Sequence, residues 1–164
     1  ISMIESNELK LNKKDILLSD IIKEINLRYS HILIERGNKL LLPDVGSIKI
    51  NADKNAMLSV FDNLVANAIN YSDSGDIILS VKYHNDEIVI SIIDHGIGID
   101  QEQLDRIFER FYRVDSDRSR SSGGTGLGLS IVKHILLAHG TNIEVKSELS
   151  IGSTFSFSLP ILKN

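Results

Sequence analysis

No cysteine occurs in the 164 residues, which excludes a disulfide framework and any thiolate metal site. Basic charge is not in excess either: 18 Lys and Arg stand against 22 Asp and Glu, and the net charge of −4 argues against a general nucleic-acid binder. No apolar run approaches the roughly 18 residues that cross a bilayer. The opening Ile1–Lys10 lacks the basic n-region and long apolar core of a secretory signal, and reads as a chain cut from something longer. There is no internal repeat and no second compact domain. The five histidines, at 31, 84, 95, 134 and 139, show no metal-ligand spacing beyond His134 and His139, which are five apart and off one face, so all five read as structural or solvent histidines. An apolar share of 42% and a charged share of 24% suit one globular domain with a real core.

What the sequence does have is concentrated first in Phe61–Tyr71. At 3.6 residues per turn, Asn63, Asn67 and Asn70 fall at about 0°, 40° and 340°, a stripe roughly 60° wide. Met57, Phe61, Leu64, Val65 and Ala68 fall on the opposite side, so one face is core and the other carboxamide. Asn is a mediocre helix former, and an ordinary solvent face would carry Glu, Lys or Gln instead. The bland alternative is a polar surface stripe; the sharper one is an oxygen-rich face that meets a metal ion or a polar ligand.

Around this helix the pattern predicts an α+β fold, with helices layered on one face of a mixed, mostly antiparallel sheet. Leu9 and Leu11 alternate as a possible edge strand. A helix starts near Ser19–Asp20 and ends near Gly37–Asn38. Lys39–Leu42 and Ser47–Asn51 read as short strands, and Asp53 as the cap of the asparagine helix. Ile77–Tyr83 and Ile88–Ile93 form a hairpin about His84–Asp86. A short helix is expected at Glu102–Ile107, an aperiodic mobile loop over 112–124, a helix over Thr125–His139, and closing strands at Asn142–Ser147 and Thr154–Leu159.

Three further motifs carry chemistry. Asp94-x-Gly96-x-Gly98 ends a hydrophobic strand, where glycines let backbone approach a flat ligand and a carboxylate can accept from an exocyclic amine such as that of adenine. An ordinary Asp-Gly turn is the alternative. Gly124-x-Gly126-x-Gly128 is neither the dinucleotide fingerprint nor a P-loop. It is a glycine-rich loop opening a helix, where free N–H groups favour an anion, or else a plain flexible loop. Between them, Arg106, Arg110, Arg113, Arg118 and Arg120 interleave with Phe108, Phe111 and Tyr112. Glu109, Asp115 and Asp117 partly cancel that charge, so phosphate contact from a loop fits better than nucleic acid.

Taken in order, Phe61–Tyr71, Asp94–Ile99, Phe108–Arg113 and Gly123–Leu129 resemble the N, G1, F and G2 boxes of bacterial sensor histidine kinases. The resemblance covers roughly residues 1–160 and includes the closing Gly152–Phe155 and Leu159–Pro160. It implies a Bergerat ATP-binding fold, three main helices packed on a five-stranded mixed sheet. Residues 1–14 would be the exit from the dimerisation domain and a linker, and 15–164 the catalytic ATP-binding domain. Carried over by position, Asn67 would bind Mg2+ and Asn63 would line the phosphate side, with Asn70 beside them. Asp94 would bond the adenine amino group, Gly96 and Gly98 would let the base approach, and Tyr71 would lie against the purine. Ile97, Ile99 and Tyr112 would complete that side of the nucleotide site. Arg113 would reach the phosphates, while Gly124, Thr125, Gly126, Leu127, Gly128 and Leu129 would form the lid hinge and its phosphate-binding N–H groups. Asn67 and Arg113 would be the catalytic pair. Two positions depart from the usual pattern: Asn70 stands where many members have Lys or Arg, and His95 where Asn is common after the G1 aspartate.

The resemblance further implies transfer of the γ-phosphoryl group of Mg·ATP to a histidine, then to a response regulator. No histidine here is followed by an acidic residue and then Pro, so the acceptor is expected upstream of residue 1, on the dimerisation domain of a homodimeric parent. That parent would be anchored in the cell membrane, with this domain cytoplasmic and touching neither membrane nor nucleic acid. The competing reading is an ATP-hydrolysing conformational machine of the same superfold. Such proteins place a Glu one turn before the metal-binding Asn; here that position is Asn63, which cannot act as a general base.

Overall fold

A computed structural model describes residues 9–72, 74–112 and 128–163. In chain order the elements are β1 (Lys14–Leu17), α1 (Leu18–Glu35), β2 (Leu40–Leu41), β3 (Lys49–Ala52), α2 (Lys54–Asn70), β4 (Ile77–His84), β5 (Glu87–Asp94), a 3-10 turn (Gln101–Gln103), α3 (Gly128–Ala138), β6 (Glu144–Glu148) and β7 (Gly152–Pro160). Five strands make one mixed sheet in the order β2-β4-β5-β7-β6, in which only β2 and β4 run parallel. β1 and β3 form a separate antiparallel pair. The three helices pack on the five-stranded sheet, the α+β arrangement expected from the pattern.

Period-2 alternation sets which side of the sheet they cover. Ile88, Ile90 and Ile92 of β5 stand opposite Leu159, Phe157 and Phe155 of β7, and all six are buried. Leu79 extends the row onto β4, opposite Ile92. The intervening Ser91 and Val89 pair with Ser156 and Ser158 on the other face. Against the apolar row lies α2, whose Met57, Phe61, Leu64, Val65 and Ala68 are buried as the helical period predicts. The Phe61 ring meets Phe157 edge-on, centroids 5.9 Å apart. α1 is tied to α2 by Tyr29, whose hydroxyl donates to Asp62 Oδ1 at 2.9 Å, and by the Arg28–Asp62 ion pair. Burial, with the Asp62 carboxylate beside it, pushes the Tyr29 phenol up to about 12.

Two elements differ from expectation. The first strand is Lys14–Leu17 rather than Leu9/Leu11, because its register is set by non-local pairing with β3, Lys14 facing Ala52 and Leu17 facing Lys49. The segment after β5 is no α-helix: its N–H groups reach back three residues, Leu104 to Gln101, Arg106 to Gln103, Glu109 to Arg106 and Tyr112 to Glu109. So short a segment does not recover the nucleation cost of an α-helix, and successive tight turns serve instead. The loop expected over 112–124 falls, apart from Tyr112, outside the described residues.

Asp53 caps α2 as expected, Oδ1 accepting from Ala56 N at 3.1 Å, and it does more. Its Oδ2 accepts from Asn12 N at 2.9 Å, and its own N–H donates to His139 Nε2 at 3.2 Å. Burial acts to raise the carboxyl, but the N–H donors of Asn12, Ala56 and Asn55, with His139 nearby, outweigh it and hold Asp53 below the ordinary carboxylate value. Asp53→Ala should therefore cost about 1 kcal/mol in urea denaturation near neutral pH. The electrostatic part of this contribution is full above the unfolded-state value and lost as pH falls through the lower folded-state value. The gap between variant and wild type should thus narrow in strong acid; a gap that widened there would contradict the assignment.

Candidate functional site

The end of the sheet where β5 finishes is built from backbone in contact with backbone. Asp94 takes the fourth place in the buried row begun by Ile88, Ile90 and Ile92, so a carboxylate stands where the pattern has placed isoleucines. Only 5% of it is exposed. Its Oδ1 accepts from Gly96 N at 2.9 Å and from Ser153 N, on the facing strand, at 3.3 Å. Burial raises the Asp94 carboxyl above its ordinary value, against the opposing pull of those two N–H groups and of His95. A buried carboxylate with lone-pair capacity left over is a natural acceptor for an incoming amine.

Gly96 is required by space. A Cβ there would lie 1.9 Å from the Tyr71 carbonyl oxygen, which also accepts from Ile97 N at 3.2 Å. Gly98 is required twice over, by its φ of +75° and by the Glu148 carbonyl, 2.1 Å from where a Cβ would be. Ile97 O accepts from Ser150 N at 2.8 Å, and Ile99 N donates to Ser147 Oγ at 2.7 Å. The Asp94–Ile99 turn is thereby clamped between the C-terminus of α2 and the β6–β7 turn.

Asn63, Asn67 and Asn70 lie half-buried on the face of α2 away from the sheet core. The Asn63 amide nitrogen donates to Ser59 O at 2.8 Å and Ser59 Oγ at 3.3 Å. Gly128, the first described residue of α3, packs so closely on Asn63 that a Cβ would come 2.7 Å from Oδ1. Start of α3 and asparagine face thus meet, and Leu129 packs partly buried against the core. Tyr112 packs partly buried against the core, its hydroxyl donating to Gln103 Oε1 at 2.7 Å and its ring lying 4.6 Å from the Arg106 guanidinium. Arg113, Gly124, Thr125, Gly126 and Leu127 lie outside the described residues.

Two residues of this site carry no signal in periodicity. Ser153 supplies the second N–H to Asp94, and Ser147 binds Ile99 N, the Gly152 carbonyl and Ser153 Oγ. Only the strand register, Asp94 opposite Ser153, brings them there. His139 is structural: Nδ1–H donates to Ile135 O at 2.9 Å and Nε2 accepts from Asp53 N. Among the described residues no cluster of three or more His, Asp or Glu is positioned to hold a metal.

An α+β platform with a buried strand-end carboxylate, a backbone-lined turn and a carboxamide helix face is the arrangement expected of a nucleotide-binding domain. Residues 52–163 match the family described as "Histidine kinase-, DNA gyrase B-, and HSP90-like ATPase", and the chain belongs to it. Within that family it is similar to sensor histidine kinases. It is 35% identical over 163 residues to the sensor-like histidine kinase SenX3 of Mycobacterium bovis, covering 99% of this chain and 40% of that protein. It is 34% identical over 159 residues to the phosphate regulon sensor protein PhoR of Pseudomonas aeruginosa, covering 95% and 35%. The chain thus spans well under half the length of these relatives. In fold it resembles full-length ShkA, solved in complex with AMPPNP, with a TM-score of 0.83 at 23% identity over 99% of this chain and 34% of that one.

The geometry sets Asp94 apart for a decisive substitution. Asp94→Asn keeps an oxygen for Gly96 N and Ser153 N while removing a buried charge, so thermal stability at pH 7 should hold or rise. If an adenine amine is what Asp94 receives, however, the new NH2 opposes a donor, and Mg·ATP affinity should fall by about 1–3 kcal/mol. Parallel calorimetry and thermal melts check both; affinity within twofold of wild type removes Asp94 from the site.

Proposed function

We propose that this chain is the catalytic ATP-binding domain of a sensor histidine kinase, presenting the γ-phosphoryl group of Mg·ATP to a histidine on a separate dimerisation domain. The observation that carries the reading is Asp94, buried at the end of β5 and held by two N–H groups beside a glycine turn with no room for a side chain. Asp94 accepts from the adenine amine, Gly96 and Gly98 keep the approach open, and Tyr71, Ile97 and Ile99 line the base. Asn63, Asn67 and Asn70 face the phosphates, with Gly128 against Asn63 closing that side and Leu129 behind it. Tyr112, Arg113 and the Gly124–Leu127 run complete the nucleotide contacts. ShkA in complex with AMPPNP supports a nucleotide in this fold.

The donor set fits a hard cation: the asparagines offer carbonyl oxygens, and among the described residues the Asn67 side chain forms no hydrogen bond that would compete. Asn67 would hold Mg2+, whose chemistry is neutralisation of phosphate charge. The domain's own residues bind and orient; none supplies a nucleophile. The acceptor imidazole and a response regulator are the partners, residues 1–14 the exit from the dimerisation domain, and the parent a membrane-anchored homodimer. Among the described residues no helix is long and apolar enough to cross a membrane.

Asn67→Asp places a fixed charge at the phosphate side and should alter or abolish Mg-dependent ATP binding in a folded protein. Unchanged Mg·ATP affinity by titration excludes Asn67 from the metal site. With γ-labelled ATP and Mg2+, this chain alone should neither retain label nor turn over rapidly, since Asn63 is no general base. Adding a dimerisation domain should yield acid-labile, base-stable label. Rapid release of phosphate by the chain alone would favour the hydrolase reading instead.

A further inference from the structure

α2 ends without a basic residue in its last turn, although its terminal carbonyls point to the side of the molecule where Tyr71 and the Asp94–Ile99 turn meet. The missing cation arrives from α1. The backbone of Arg36 is fixed as the C-cap of that helix, donating to Leu33 O at 3.0 Å, with Gly37 at φ +78° turning the chain away. Its half-buried side chain crosses to α2, where Nη1 donates to Ile69 O at 3.2 Å and Nη2 donates to Ser72 O. One guanidinium therefore holds both the last turn of α2 and the Ser72 carbonyl, two residues beyond its end.

We propose that Arg36 is a positioning residue for the base side of the nucleotide site, an inference that rests on the site reading above. Successive carbonyls are held from opposite directions: that of Tyr71 by Ile97 N, that of Ser72 by Arg36. Ser72 is itself fully buried, its hydroxyl donating to Ser74 O at 2.9 Å. The Ser72 carbonyl lies one Cα beyond the peptide that carries the Tyr71 carbonyl, so holding it limits how far that neighbouring peptide can swing and keeps the Tyr71 carbonyl where Gly96 leaves room for it. There is no slack at that contact, since even a methyl group at Gly96 would overlap the oxygen. Release of the Ser72 carbonyl therefore moves the Gly96–Ile97 backbone, and with it the turn that Asp94 Oδ1 anchors. Arg36 touches none of the proposed nucleotide contacts other than through this chain of carbonyls.

The test compares ATP with GTP, because a defect on the base side changes their ratio whereas general loosening weakens both alike. Arg36→Met keeps the apolar stem and removes the donors. In the 164-residue chain it should weaken Mg·ATP by about tenfold while GTP changes little, narrowing the preference for ATP. Arg36→Lys should restore part of the preference, since an ammonium retains the charge but not the two-pronged reach. ATP affinity within twofold of wild type, or equal losses for ATP and GTP, overturns the proposal. Should Arg36→Met fail to fold, Arg36→Lys decides alone: selectivity and affinity identical to wild type overturn it, and narrowed selectivity supports it. Failure of the wild-type chain to bind Mg·ATP would overturn the site reading itself, and is visible before any variant is made.

Discussion

The packing of one face of α2 on the sheet is the constraint from which the remaining geometry follows. Phe61 is completely buried and edge-on to Phe157, and Leu64, Val65 and Ala68 continue the same seam. A helix so anchored has no rotational freedom, so Asn63, Asn67 and Asn70 must point away from the sheet. Its position along the axis is set at the ends. Asp53 binds the first turn and also holds the extended segment at Asn12 and the ring of His139. Arg36 binds the last. Helix ends carry unpaired N–H and C=O groups; here the adjacent Asp53 meets the first set and Arg36, from the end of α1, reaches the second. The asparagine face is thereby positioned without any asparagine having to contribute to stability.

The base side is organised on a different principle, exclusion of side chains. Gly96 abuts the Tyr71 carbonyl, Gly98 the Glu148 carbonyl and Gly152 the Asp94 carbonyl, the last with a φ of +135°. Three separate stretches of backbone converge at the end of β5 because nothing larger than hydrogen stands between them. Asp94 sits at the focus. Burying a carboxylate is costly unless it is hydrogen-bonded, and two backbone N–H groups meet that demand only partly, as its raised value shows. The residual acceptor capacity is what a ligand amine can use.

This difference explains what could be read from the sequence and what could not. The asparagine helix, its Asp53 cap and the β4–β5 hairpin follow from local periodicity and turn chemistry, and the structure places them within a residue or two of expectation. Asp94-x-Gly96-x-Gly98 was visible as a motif because each glycine answers a local demand. The long-range contacts of that turn were not, since Ser153 reaches Asp94 and Ser147 reaches Ile99 only through strand pairing some fifty residues away. Arg36 was silent for the same reason: as a polar residue after a helix it resembles any other, and only the crossing of α1 over the end of α2 gives it a role. The misplacement of the first strand has this origin too, since Lys14–Leu17 is selected by β3 and not by its own pattern.

Charge is distributed along the site in a way that bears on its chemistry. At the base end the buried titratable side chain is Asp94, only partly satisfied; among the described residues the asparagine face of α2 offers carboxamides and no charge. Carboxamides are donors and acceptors without net charge, so that face incurs no desolvation penalty comparable to a buried ion when empty, and it can turn either an N–H toward phosphate oxygen or a C=O toward a cation. It cannot, however, neutralise a triphosphate. The cations for that purpose have to come from a bound metal or from the arginine-bearing segment that follows β5, where Arg106 is already engaged with Glu109 and the Tyr112 ring. On the proposed reading, a neutral face that requires an imported cation, next to a carbonyl-fixed base site that requires none, would separate recognition of the base from stabilisation of the phosphates. On that reading positioning resides in the packed part of the fold, and the compensating charge comes from the metal that accompanies the nucleotide or from those arginines.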